Sequence, residues 1–492
     1  MMKAVCVLLL GASLSFAFDT AKYPVPDTNF APPAGALFVA LTGNDANAGT
    51  QAAPLRNPVT AIKKAAAGST VVVRGGVYYA VDLGTVNKKF TLQAYPHEQV
   101  YFLGSVRVTA WTKEKTYWKA AFTNTLPNVT CPPEIINASY PTACRPEQVF
   151  LNGAPLAQVI SLSRVTAGKF FQPTGGQWVY IGSDPTSKVV EVTKLVRGLN
   201  YWDPNSAAIL SSAENMTYDR CLITQNAARG MKLARPNQII RASVISFNGL
   251  LGLGANRAHG VKLLSNTFNR NNFEHFRTSG CKGVCTASGV KFSHVANAVI
   301  DNNMFVNNHA GGMWFDDGCT DGIIIRNWFA GNDGGGVGVE VSARATVASN
   351  VFTGNGGTSV GISGSDHVRI YNNAFGPSGM YHMQIQDDLR ITCDFEQYSC
   401  QQNLTWDTSN IVIRNNLFSN SKSTSLVVTG TSAFRDTPNN PFFVNEAAGN
   451  FNLKPASAAR GAGTPLPADI AAALGVPTSP VDMGAINWRG KA

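Results

Sequence analysis

Charge is scarce in this chain. Only 14% of its 492 residues are Asp, Glu, Lys or Arg, whereas 44% are hydrophobic. A disordered segment would show the reverse balance, so disorder is excluded and a long core is affordable. The cations are never gathered into blocks. A nucleic-acid-binding stripe is therefore not expected, although the formal net charge is +10. Long apolar runs are also missing: beyond residue 17 no segment is apolar enough to cross a bilayer, and no membrane span is expected. The cysteines lack paired CxxC spacing, which argues against a structural zinc site. Six of the seven histidines, His259, His275, His294, His309, His367 and His382, show no metal-ligand pattern in sequence.

What remains points outward from the cell. MMKAVCVLLLGASLSFA has one Lys, an apolar run and small residues, and reads as a secretory signal over 1–17. The run is short for an anchor. The last residues, NWRGKA, match neither a lipid-anchor tail nor an ER-retention signal. Without Cys6 there are eight cysteines, an even set that suggests disulfides in a secreted chain. Cys131–Cys144, Cys281–Cys285 and Cys393–Cys400 are candidate local pairs, leaving Cys221 and Cys319. Sequons at Asn128, Asn137, Asn215 and Asn403 would carry glycans in a eukaryotic host. The diffuse positive charge fits weak attraction to an acidic polymer, or simple solubility.

The chain repeats itself. An Asn-x-Phe phrase ends at Phe268, Phe305, Phe329, Phe352, Phe375 and Phe418, with steps of 37, 24, 23, 23 and 43 residues. The two long steps read as one unit plus an insert, about 14 residues before Lys291 and about 20 after Asp387. Each regular unit holds three short strands parted by Gly/Asn turns, as in GIIIRNWFAGNDGGGVGVEVS. A β-rich period in the low twenties predicts a solenoid whose rungs share one core. The Leu scaffold of leucine-rich repeats is absent. The recurring Asn is expected to ladder its amide to the next rung, with the Phe stacked inside.

On these phrases the chain resembles the pectate-lyase-like right-handed parallel β-helices, an all-β fold. Residues 38–79 are similar to the opening of many secreted β-helix proteins, where a short helix, here near Val59–Ala67, caps the core. The segment NFNLKPASAARGAGTPLPADI…VDMGAINW is similar to their closing segment. The resemblance implies a cap and first rungs over 35–109, main rungs over 206–435 and a closing segment over 436–492. Residues 110–205 interrupt the pattern as an irregular β-rich excursion. A monomer is expected of such a solenoid.

One strand per rung can be set in register: GVKFS (289–293), GMWFD (312–316), GVGVE (336–340), SVGIS (359–363) and HMQIQ (382–386). Alternation sends Val290, Phe292, Met313, Phe315, Val337, Val339, Val360, Ile362, Met383 and Ile385 into the core. It sends Lys291, Ser293, Trp314, Asp316, Gly338, Glu340, Gly361, Ser363, Gln384 and Gln386 outward. Rungs lie about 4.8 Å apart, so Asp316 and Glu340 are expected as stacked neighbours. Their carboxyl groups would be roughly 5 Å apart, the spacing of a retaining glycosidase pair. Like charges so close raise one pKa, giving an acid beside an ionised nucleophile, and they cost stability unless a cation or a function offsets them. Trp314 would face a sugar ring. Ser363, Gln384 and Gln386 would bond it, and His309 and Arg344 lie near the rim. Plainer readings stand beside this one: FDDG as a capping turn, and Glu340 as a surface residue paired with Arg344 or Lys291.

The pattern G-x-W-x-D…E-[IV]-S, here GMWFDDG…GVEVS, is similar to a signature in a β-helical family of retaining β-xylosidases. That resemblance implies Asp316 as nucleophile and Glu340 as acid/base, with no cofactor. This chain has Asp317 where an aromatic is usual. Two other functions fit the fold. A polysaccharide lyase would use Lys291 as base, with calcium on Asp316, Asp317 and Glu340. A glycan-binding or wall protein would use the same groove without turnover. The DPxD motif of C5-epimerases and the paired motifs of polygalacturonases are absent. The expected partner in every case is an extracellular poly- or oligosaccharide.

Overall fold

A computed structural model of the chain describes residues 29–126, 135–173, 175–194, 207–276, 287–388, 404, 407–418, 434–435 and 442–486. The chain divides into two compact units. The larger is a right-handed parallel β-helix. Its described strands form three long sheets of 11, 9 and 11 strands, and every described pairing within them is parallel. Each turn of the chain visits the three sheets in order: Val299–Asp301, Met304–Val306, Met313–Asp316, then Ile323–Ile325 one rung on. Such a crossover is right-handed because right-twisted strands close back on the sheet only that way.

Two devices hold the rungs in register. Asn266, Asn303, Asn327, Asn350, Asn373 and Asn416 form a buried ladder, each amide donating to the next Oδ1 at 2.9–3.0 Å. Asn226, Asn248, Asn271, Asn308, Asn332 and Asn355 form a second at 2.8–3.0 Å. At both corners the chain must turn, so backbone groups lose their strand partners, and a buried unpaired amide is costly. Asparagine supplies a donor and an acceptor along the same axis. Inside, Phe268, Phe305, Phe329, Phe352, Phe375 and Phe418 stack almost parallel, with centroids 4.7–5.0 Å apart. The Asn-x-Phe phrase is thus one corner amide followed by one core ring.

The expected helix is present as Pro58–Lys64. Asn57 accepts from the Val59 amide as its N-cap, and Pro58 occupies the first turn, where no donor is needed. Its buried face, Ala61 and Ile62, joins the same core as the first strands. The nearest short helix to the other end, Ala468–Leu474, packs Ile470, Ala471 and Leu474 with Ile325, Ala348 and Tyr371.

The smaller unit comprises 107–124 and 148–192 among the described residues. Its pairings are largely antiparallel, for example Val179 with Ala120 and Phe150 with Glu191. It has its own core of Ala120, Val149, Leu156, Phe170, Val179, Ile181, Val190 and Val192. It carries no rung period, so the repeat does not extend through it.

Cys144 is disulfide-bonded, and Cys221 and Cys319 are free and buried. Burial pushes the Cys319 thiol up to about 12. Cys131, Cys281, Cys285, Cys393 and Cys400, both inserts and residues 1–17 lie outside the described residues, as do Asn128 and Asn403. Asn137 and Asn215 are exposed. Among the described residues no helix is long and apolar enough to cross a membrane.

Candidate functional site

The outward face of the nine-stranded sheet carries the column read from the sequence. Of the ten side chains expected inward, nine are buried and Ile385 is partly so. The register runs Gly254, Lys291, Trp314, Gly338, Gly361, Gln384 along one row. In the next row Ser293 pairs with Asp316, Glu340 with Ser363, and Ser363 with Gln386. Phe315 pairs with Val339, so one step further sets Asp316 beside Glu340. The turn that follows agrees: His294, Asp317, Val341 and Gly364 all take positive φ directly after these residues. Each strand therefore ends in the same left-handed kink, and the two acids occupy equivalent places on consecutive rungs. Both are partly exposed.

Lys291 ties the site together. Its Nζ lies 2.6 Å from Asp316 Oδ2 and 3.7 Å from the centroid of the Trp314 ring. It reaches diagonally from one row to the next, beneath the indole, and is only 8% exposed. A buried ammonium needs a partner, and here it has an anion and an aromatic face. Conversely, the cation offsets the like-charge cost of stacking Asp316 on Glu340. Asp316 Oδ1 makes no hydrogen bond to any described residue.

Trp314 is held from the other side by Gly338. A Cβ there would stand 3.1 Å from Trp314 Cδ1, closer than ordinary contact. One indole face is taken by Lys291. Gly338→Ala is expected to keep the fold, tilt the indole, and raise KM roughly three- to tenfold with little change in kcat. Unchanged KM and tryptophan emission would show that the indole takes no part in binding. Downstream, Gln384 Nε2 donates to Gln386 Oε1 at 2.7 Å, and Gln384 Oε1 accepts from Thr358 at 3.2 Å.

Three predicted site residues are placed differently. Asp317 turns into the left-handed kink at φ 47, and its Oδ2 lies 2.6 Å from His294 Nε2. Asp316 Oδ2 is thus on Lys291 and Asp317 Oδ2 on His294. Arg344 forms a bidentate pair with Asp321 at 2.7 and 2.8 Å, not with Glu340. The hydrogen-bonded pairing holds the Asp321 carboxyl below, and the Arg344 guanidinium above, their usual ranges. Both belong to a turn ladder in which Thr320 pairs with Ala343 and Ala343 with Asp366. His309 pairs with Asp333 at 2.8 Å, at the opposite end of the strand.

A grouping that sequence reading missed lies there. Ligand atoms of His275, His309 and Asp333 fall within 4.8 Å of one another. Burial, with a lesser contribution from His309, brings the His275 imidazole down to about 3. The signal was available: His309 and Asp333 each follow a ladder asparagine, and they are one rung apart.

Comparison with known proteins agrees on the architecture. The family model for the right handed beta helix region matches residues 206–375. A Bacillus subtilis (strain 168) protein described as uncharacterized protein YwoF is 35% identical over 101 residues, 20% of each chain. The chain thus spans about a fifth of the length of the curated relative it matches. Among solved structures, the complex of XylC with xylose aligns with a TM-score of 0.54 at 14% identity, covering 81% of this chain and 86% of that one. Pectate lyase Pel9A aligns with a TM-score of 0.52 at 12% identity, covering 92% and 96%. At such identities the likeness is one of fold.

Proposed function

We propose that the chain is a secreted carbohydrate-active enzyme, a retaining glycoside hydrolase acting through Asp316 and Glu340. The observation that carries this reading is the rung-stacked acid pair with Lys291 on one oxygen of Asp316 and Trp314 alongside. Asp316 Oδ1 attacks the anomeric carbon as Glu340 gives its proton to the departing glycosidic oxygen. The ester so formed links the sugar to Asp316. Glu340, now a carboxylate, takes a proton from water, and the water oxygen displaces Asp316 from the anomeric carbon. No cofactor takes part. Lys291 fixes the carboxylate by its other oxygen, a positioning role. The fold shared with the XylC–xylose complex supports a sugar ligand.

A second reading, a polysaccharide lyase with Lys291 as base, draws on the presence of a lysine within the groove and on the fold shared with Pel9A. The covering of Lys291 by Trp314 and its pairing with Asp316 favour the hydrolase, because an eliminating base must reach the C5 proton of the substrate. The two readings separate on a panel of neutral and uronic-acid glycans, assayed with and without chelator. Hydrolysis yields new reducing ends without the ultraviolet absorbance of an unsaturated uronate. Absorbance that requires calcium would establish the lyase, and binding without turnover would leave a glycan-binding protein.

Lys291→Met sharpens the distinction. For the hydrolase, kcat falls roughly 10- to 100-fold but persists. Stability falls by about 2 kcal/mol as Asp316 loses its partly buried partner. Complete loss of turnover in a folded variant would instead assign Lys291 to the chemistry.

A further inference from the structure

We propose that His275, His309 and Asp333 form a binding site for one divalent transition-metal ion, with zinc the best fit. The site lies at the start of the groove-forming strands, whereas Asp316 and Glu340 lie at their end, and it is independent of the glycosidase reading.

The fold builds the site rather than merely allowing it. His309 follows the ladder residue Asn308, and Asp333 follows Asn332, which are joined amide to amide at 2.9 Å. Asn271 extends the same ladder to Asn308 at 3.0 Å. The two side chains therefore project from equivalent corners on consecutive rungs, fixed by buried hydrogen bonds. At the same corner of the rung before is Asn272, whose carbonyl accepts from the His275 amide at 2.9 Å. That turn carries His275 back toward His309, with ring centroids 4.5 Å apart. Tyr140 packs on His275 at 4.4 Å and Phe273 on His309 at 5.8 Å, limiting ring rotation. The corner on the far side of Asp333 is Gly356, so no side chain stands there.

The donors suit this metal class. Two imidazole nitrogens and one carboxylate oxygen are borderline ligands, matched to zinc and its neighbours rather than to calcium or magnesium, which take oxygen. His309 Nδ1 and Asp333 Oδ2 are 2.8 Å apart. Ligands on a tetrahedral zinc sit about 3.3 Å apart at ordinary bond lengths, so opening by half an ångström or so admits the ion. Three protein ligands leave a coordination position for water or substrate.

The test uses the full chain, stripped with chelator and then titrated with zinc, cobalt(II) or calcium. Expected is uptake of one zinc per chain that survives gel filtration, and a visible cobalt spectrum of a low-symmetry nitrogen–oxygen site. Asp333→Asn and His275→Gln should each weaken zinc binding roughly a hundredfold. Asp333 is exposed, so its variant is expected to keep the metal-free melting temperature, which separates lost binding from lost fold. No stoichiometric zinc or cobalt uptake would overturn the proposal. So would binding that survives both substitutions, or calcium displacing zinc at equal concentration.

Discussion

Replacing Asp316 with Asn is expected to lower turnover on the order of 10^4-fold, with the β-helix retained. Asparagine keeps the shape and leaves an oxygen for Lys291, but its amide cannot displace a glycosidic oxygen. Glu340→Gln should fall by a comparable factor on substrates with poor leaving groups, and by much less where the leaving group departs without a proton. That asymmetry separates the two roles. A purely structural account of the pair makes no such distinction, because both acids would then matter only through Lys291 and the sheet. Asp316→Ala offers a further check. With azide as external nucleophile and an activated glycoside, turnover should return and give a glycosyl azide of inverted configuration. Loss of activity that tracks loss of the thermal transition would contradict a nucleophilic role.

The second large effect concerns the scaffold. Phe329→Ala should destabilise the chain by about 4 kcal/mol. The ring is fully buried and lies 4.7 Å from Phe305 and 5.0 Å from Phe352, nearly parallel to both. Removing it opens a cavity in a stack that cannot collapse, since each ring is pinned to its rung by a ladder asparagine two residues before it. In a solenoid, stability is a sum over neighbouring rungs, so a mid-stack loss breaks two interfaces. Denaturant unfolding of the variant measures it. A loss below about 1 kcal/mol would mean that the asparagine ladders, not the rings, carry the register.

Legibility in the sequence followed the solenoid's geometry. The ladder and the stack demand the same residue type at each rung, so Asn-x-Phe was readable directly. Alternation on the groove strands was readable because every inward position is apolar. Charge pairing between rows was harder. Lys291 and Asp316 stand in different rows on consecutive rungs, and only side-chain length decides that the ammonium reaches the carboxylate. Arg344 sits four residues after Glu340, yet those four residues round a corner and deliver it to Asp321. His275 is hidden for another reason: the insert after it makes the step to His309 longer than a rung, masking their adjacency. Residues 110–205 had no repeat to read, and antiparallel pairing leaves none.

The most direct test of the account is to capture the covalent intermediate. A fluorinated glycoside of whichever sugar the panel identifies slows both steps, and slows release most with a good leaving group. Mass analysis of the digested protein should then find one sugar attached, on the peptide that contains Asp316. A sugar on Glu340, or hydrolysis that inverts the anomeric centre and leaves no adduct, would contradict the assignment of Asp316 as nucleophile.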